Sequence, residues 1–311
     1  MTRSLRTLLT GLLDYAGLFP PAKLEMAPAV ENFARAKAGE DEWLLARFIC
    51  PVSRLRECSE AAAALMPGTF ARSGYREQGA DGERWRISAI VDGPLVDCIN
   101  TIDAFNEHHS KDDHGRAQVD MVELKVTKVS EIDDTLDELP EDLFPFFEFP
   151  VTTDCRGFIA ALAGNAAAAK IRTGGIVGNA FPTIAEVAAF LHACNDADVP
   201  FKATAGLHHP VRGKFRLTYE KDAPSCTMHG FLNLFLAAAV VRAKRVDPAV
   251  TQAILAGEDP ADFRISEELI GWREHLLTTL EVARIREAFA LSFGSCSIDE
   301  PLDDLAKLRW R

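Results

Sequence analysis

Short apolar runs alternate along the chain with longer stretches whose apolar positions recur at helical spacing. The first kind predicts buried strands, the second amphipathic helices packed over them. Strand-like runs fall near Leu8–Tyr15, Trp43–Cys50, Trp85–Val91, Gln118–Val126, Phe144–Phe149, Ala167–Arg172, Pro200–Thr204 and Phe289–Phe293. Helix-like stretches lie between them: Ala27–Ala38, Arg54–Leu65, Pro94–His108, Glu131–Leu139, Arg156–Leu162, Ile184–Asn195 and, last, Pro301–Leu308. Strict alternation of this kind implies βα units and a parallel sheet, and eight such strands predict a (β/α)8 TIM barrel, an α/β fold.

Such barrels typically need about 250 residues, so a chain of 311 carries an insertion. Residues 1–311 read as one barrel domain, with a helical insertion at 227–288 between strands seven and eight. Within it, Met228–Arg245, Asp247–Leu255 and Ser266–Arg286 each read as a helix. The Gly- and charge-rich Arg72–Arg84 and the polar Asp112–Arg116 read as surface loops.

Composition narrows the function class. With 34 Lys+Arg against 46 Asp+Glu, the formal charge of -12 makes a nucleic-acid backbone an unsuitable partner, though a local group of cations can still take a small anion. The 7 cysteines are scattered, with neither a C-x-x-C pair nor an even count, which suits a reducing cytoplasm better than a disulfide framework or a zinc site. Gly11 and Asp14 interrupt the first apolar stretch, so it is not read as a secretory leader. The longest apolar stretch, Phe231–Val241, is too short to span a bilayer. A soluble cytoplasmic protein with no membrane partner is expected, and a homo-oligomer stays open.

In such barrels the chemistry sits at the carboxyl ends of the strands. Two of those ends carry a lysine in matching context, Lys170-Ile171-Arg172-Thr173-Gly174 and Lys202-Ala203-Thr204-Ala205-Gly206. A second ammonium nearby lowers a lysine's pKa and frees its lone pair for attack on a carbonyl. Because side chains alternate, Arg172 shares the face of Lys170 and Thr204 that of Lys202. Asp14, Asp92, Glu148 and Ser295 stand at other strand ends, as does either Asp120 or the Glu123/Lys125 pair. On a regular strand Asp120 and Glu123 cannot both face inward. Of the histidines, His208 and His209 lie on a strand-end loop, where one is a candidate ligand or acid–base group. Gly294 and Ser295 begin a turn whose amides suit an anion.

Several of these strand ends, in order, resemble the deoxyribose-phosphate aldolase family of class I, Schiff-base aldolases. The resembling stretches are Leu13-Asp14-Tyr15-Ala16-Gly17-Leu18, Ile49-Cys50-Pro51, Val119-Asp120-Met121-Val122, Phe147-Glu148, the two lysine motifs, and Phe293-Gly294-Ser295-Cys296-Ser297. The resemblance implies a TIM barrel and a cofactor-free carbon–carbon lyase. It makes Lys170 the imine-forming lysine, Lys202 the cation that lowers its pKa, and Asp120 the proton-handling acid. Asp14, Glu148, Arg172, Thr204, His208, Gly294 and Ser295 are then expected to bind a small anionic carbonyl substrate, without a metal. The chain departs from the family after Lys202, where Ala205-Gly206-Leu207-His208-His209-Pro210 has one glycine fewer than the usual turn, and at Arg172, which replaces a small residue. Two other readings remain: a metal-dependent isomerase or lyase using Glu123, Glu148 and His208 or His209, and a barrel without chemistry that binds a ligand or a partner.

Overall fold

The computed structural model describes residues 1–69, 84–111, 114–151 and 154–311. The expected Arg72–Arg84 loop falls almost wholly outside the described residues, as do Asp112 and Asp113. The strands are β1 (Leu13–Tyr15), β2 (Leu45–Pro51), β3 (Trp85–Ile90), β4 (Ala117–Lys125), β5 (Phe144–Glu148), β6 (Ala168–Arg172), β7 (Phe201–Thr204), β8 (Gly213–Arg216), β9 (Ser225–Met228), β10 (Phe263–Ile265), β11 (Leu269–Trp272), β12 (His275–Thr278) and β13 (Ala290–Ser295). Eight of them close a parallel barrel in the order β1-β13-β7-β6-β5-β4-β3-β2, with helices alternating between most strands. The (β/α)8 TIM barrel read from the sequence is therefore the fold.

The apolar core lies between barrel and helices. Outward-facing Phe48, Ile87, Val122, Phe147, Ile171, Phe201 and Phe293 meet helical Phe33, Leu55, Ile102, Ile132, Ile159, Phe190 and Phe235, all buried. These outward positions alternate with polar and charged inward ones, which is how a parallel strand serves a greasy shell and a charged interior at once.

The amino terminus differs from expectation. Residues read as the start of a strand at Leu8 form a helix, Arg3–Leu9, and β1 begins only at Leu13. Leu5, Leu8, Leu9 and Leu12 are all buried, and their spacing matches a helical face as well as an apolar strand run. Arg286, on the helix Thr279–Ala288, fixes this segment across the barrel's lower end. Its guanidinium donates to the carbonyls of Leu8 (2.8 Å), Thr10 and Gly11 (both 3.2 Å), and also to those of Ala290 and Leu291.

The chain between β7 and β13 is only partly helical. β8 and β9 form an antiparallel hairpin where Met228 was expected to open a helix; that helix runs instead over Phe231–Lys244. Its residues Phe231–Val241 are all buried, which accounts for the longest apolar stretch as a helix packed on every side. Asn233 within it is fully used, accepting from Arg212 N and donating to the carbonyls of Ile254 and Gly257. Helix Pro248–Ala256 is as expected and is capped by Asp247. The expected helix Ser266–Arg286 is replaced over its first half by β11 and β12, which form an antiparallel sheet with β10 just before them. Ile270, Trp272 and Leu277 are buried on that sheet, and Arg273 at φ 50 makes its tight turn. The helix starts at Thr279, where Thr278 and Glu281 form a capping box. Among the described residues no helix is long and apolar enough to cross a membrane.

Candidate active site

Strand register brings the two lysine motifs face to face. Lys170 on β6 pairs with Lys202 on β7, and Arg172 with Thr204. Four residues beyond each lysine stands a glycine, and there the two loops touch. A Cβ on Gly174 would lie 2.9 Å from the Cα of Gly206, and one on Gly206 would lie 2.8 Å from the Cα of Gly174. Thr173 ties the loops further, donating its hydroxyl to the carbonyls of Thr204 (3.1 Å) and Ala205 (2.6 Å). The repeated Gly thus has a packing cause, and Gly206 also adopts φ +74.

Below these loops three carboxylates and three cations interleave. Lys170 Nζ lies 2.6 Å from Glu123 Oε2 and 2.7 Å from Glu148 Oε2. Lys202 Nζ donates to Asp14 Oδ2 at 2.6 Å and to Glu123 Oε1 at 2.7 Å. Arg172 donates from Nε to Glu148 Oε1 at 2.9 Å. The serine hydroxyls beside the cluster hold its acids in place, Ser88 on Glu123 Oε1 and Ser292 on Asp14 Oδ2, each at 2.7 Å. Arg47 adds its backbone N–H to Asp14 Oδ1.

The two lysines are held differently. Lys202 is 0% exposed and hydrogen-bonded on two sides. Burial alone would lower its pKa, but Asp14 and Glu123 outweigh burial and raise it. It is a fixed cation, not a lysine kept neutral. Lys170 is 4% exposed and stands at the wall of the mouth, within 2.7 Å of both its carboxylates. Glu123 is buried between both ammonium groups; desolvation would raise its pKa, and Lys170 and Lys202 reverse this and hold it far below the usual carboxylate range. Glu148 is lowered too, with burial opposing and Lys170 and Arg172 prevailing.

The inward residue on β4 is Glu123, with Lys125 two positions above it at the rim; both line the mouth cavity. Asp120, expected as the acid, stands apart from the lysines. Arg47 grips it with Nε and Nη2, both at 2.7 Å, and Arg86 adds a contact at 3.0 Å. The β3–β4 pairing skips Asp120, since Ile87 faces Val119 and the next residue, Ser88, faces Met121. That irregularity breaks simple strand parity, which is why residue counting left Asp120 and Glu123 undecided.

A cavity of about 390 Å³ opens above the cluster, lined by Lys170, Arg172, Thr204, His208 and Gly294 among the expected residues. Ser295 turns away and donates to Ser297 O within its own turn. Asp14 lies below the cavity, behind Lys202. His208 faces Glu300 at 3.3 Å and Cys296 at 3.9 Å; burial would lower its pKa, but these two partners carry it up to about 10. His209 instead stacks on Phe215 and contacts Asp304 at 2.5 Å. Asp92 is used by Ser53, and Cys50 is a buried filler. The divalent-cation arrangement would require Glu123 and Glu148 to converge on an ion, but Lys170 Nζ already lies between them. Among the described residues no group of three or more His, Cys, Asp and Glu side chains is placed to hold a metal.

Sequence reasoning overlooked Ser88, Ser292 and Arg47, because their role depends on register across strands distant in the chain. It also passed over Cys296 and the apolar residues of the mouth. Set against known proteins, the chain matches no family model and no curated protein.

Proposed function

We propose that the protein is a cofactor-free carbon–carbon lyase of the class I aldolase type, acting on a small anionic carbonyl compound through an imine on Lys170. The observation that carries this reading is the contrast between the lysines. Lys202 is fully buried and does not reach the cavity, whereas Lys170 lines the mouth cavity between two carboxylates.

The chemistry follows from that placement. Lys170 passes a proton to Glu148, and the free amine attacks the carbonyl carbon to give a carbinolamine. Glu148 returns the proton to the departing hydroxyl, water leaves, and a cationic iminium remains. The iminium carries the positive charge that the ammonium carried, in the same place. Glu123 and Glu148 therefore stabilise it without rearrangement, as preorganised electrostatic catalysis requires. Glu148 next takes the proton of a hydroxyl two carbons from the iminium carbon; the carbon–carbon bond between those two carbons breaks, an aldehyde or ketone leaves, and the bonding pair enters the iminium to form an enamine. Protonation and hydrolysis then release the second product and the amine. In this scheme Glu123 and Glu148 take the role the family resemblance gave to Asp120. Lys202 keeps Glu123 ionised, and Arg172 offers the anionic tail a planar pair of donors.

Borohydride reduction in the presence of small aldehydes and 2-oxo acids, read by intact mass and peptide mapping, tests the proposal. A stable adduct on Lys170, lost in Lys170→Met and kept in Lys125→Met, is expected. The reverse pattern, or no adduct with any carbonyl on folded protein, would overturn it.

A further inference from the structure

The mouth is chemically divided by sector, and the division goes beyond the two lysines. On one side the rim is cationic. Lys125 at the end of β4 is exposed and has no ion pair among the described residues, and the Arg172 side chain is 45% exposed with only Nε engaged. On the other side the rim is apolar: Phe19 and Pro20 follow β1, Ile49 lies on β2 and Ile90 ends β3. The closed strand order puts the apolar arc across from Arg172 on β6, with Lys125 on β4 at the junction of the two arcs, next to β3. β1, β2 and β3 are consecutive around the barrel, and in a ring of eight β2 stands across from β6 and β1 across from β5. Ile176, on the loop after β6, lines the same cavity while 48% exposed, so an apolar side chain sits at the open edge with water over it.

A ligand that satisfied both arcs would be amphiphilic. From this we infer that the substrate is an anionic carbonyl compound bearing an apolar arm, such as a 4-hydroxy-2-oxo acid with a branched alkyl or aryl group beyond the 4-hydroxyl, and not a polyhydroxylated or phosphorylated sugar. The inference rests on the proposed imine for the position of the carbonyl. Its carboxylate lies against Arg172 and Lys125, on the strands flanking Glu148. The arm crosses the mouth to the wall formed by Ile49, Ile90 and Phe19. An arm with further hydroxyls beyond that one would have to shed their water against that wall and find no hydrogen-bond partner there, which is costly. An apolar arm gains by leaving water.

Calorimetric titration with 2-hydroxy acids tests this independently of imine formation, because these compounds have no carbonyl to trap. 2-Hydroxy-4-methylpentanoate is expected to bind about tenfold or more tighter than lactate or glycerate. Its primary amide, lacking the charge, is expected to lose about as much. Ile90→Thr, close in volume, and Ile176→Ser, at the exposed rim, should each narrow the preference over glycerate. Melting curves of both variants confirm that they remain folded. Equal or tighter binding of glycerate, or no binding of any of these acids to folded protein, would overturn the inference. Selective binding of the branched acid without borohydride trapping of its 2-oxo counterpart would keep the amphiphilic ligand and remove the imine.

Discussion

Lys170 and Lys202 stand opposite each other on adjacent strands, and one carboxylate, Glu123, takes an ammonium on each oxygen, at 2.6 and 2.7 Å. Two like charges are thereby held as neighbours in a buried interior. The arrangement is stable only because each ammonium has a second carboxylate of its own, Asp14 for Lys202 and Glu148 for Lys170. Removing the shared acid should therefore be felt by the whole fold. Glu123→Gln is expected to lower unfolding free energy by about 3 kcal/mol, in the range for breaking a buried ion pair on one side. Urea unfolding at neutral pH measures it, and a loss below about 1 kcal/mol would contradict the network's importance.

The same acid sets the response to low pH. Glu123 and Glu148 both have folded-state pKa values below their ordinary ones. Stability from a depressed carboxylate is fully present above the unfolded value, about 4.3, and is lost as pH falls through the folded value. The wild type should lose stability steeply below about pH 4, and Glu123→Gln should lose it less steeply. Parallel curves for the two proteins would show that Glu123 is not held ionised as described.

The lysines should separate in a stability assay as well as in a trapping assay. Lys202→Met leaves Asp14 and Glu123 buried with one cation fewer, and among the described residues Asp14 then keeps the Ser292 hydroxyl and the Arg47 N–H as hydrogen-bond donors. Lys170→Met leaves Glu148 with Arg172 and Glu123 with Lys202. Lys202→Met is expected to cost about 3–5 kcal/mol, and Lys170→Met distinctly less. An equal loss would mean that the two sites are equally structural, against a chemical role for Lys170 alone.

The glycine contact gives a sharper comparison. Gly206 and Gly164 both have positive φ, +74 and +79, but only Gly206 faces a neighbouring backbone; nothing lies within 4 Å of a Cβ at Gly164. Gly164→Ala should cost roughly 1 kcal/mol for the left-handed backbone. Gly206→Ala adds a 2.8 Å approach to Gly174 and should cost about 1–3 kcal/mol more. Equal losses, measured by urea unfolding, would show that the two loops part freely.

Much of the architecture was legible because it depends on local periodicity. Seven of the eight barrel strands lie where apolar runs predicted them, and the helices between strands begin and end within a few residues of their expected bounds. What local pattern could not separate was read wrongly. The amino-terminal leucines suit a helix and a strand equally, and β11 and β12 were taken for helix because each run is only four residues long. The site divided in the same way. Lys170 and Lys202 announced themselves by repeated context, whereas Glu123 required knowledge of a strand irregularity and Ser88 and Ser292 of cross-strand register. The mouth's apolar arc escaped notice because Phe19, Ile49 and Ile90 look like ordinary core positions until the ring of strands is closed.

His208 offers a test at the opposite end of the pH scale. Its folded-state pKa is carried up to about 10, with Cys296 and Glu300 as its partners against the effect of burial. A raised histidine contributes stability that is complete below its unfolded value, about 6.5, and that fades as pH rises through about 10. At neutral pH His208 is thus an imidazolium on the wall of the mouth cavity, while His209, lowered by burial against the pull of Asp304, is neutral. In an NMR titration the ring signals of His208 should stay flat from about pH 6 to pH 8.5. Glu300→Gln removes one of the two partners, so titration should move back toward the usual histidine range. The stability gap between wild type and His208→Gln should be constant near pH 6 and shrink toward pH 10. A His208 that titrates near 6.5 in the wild type would remove the cation from this wall and leave Lys125, Lys170 and Arg172 as the only positive groups lining the mouth among the described residues.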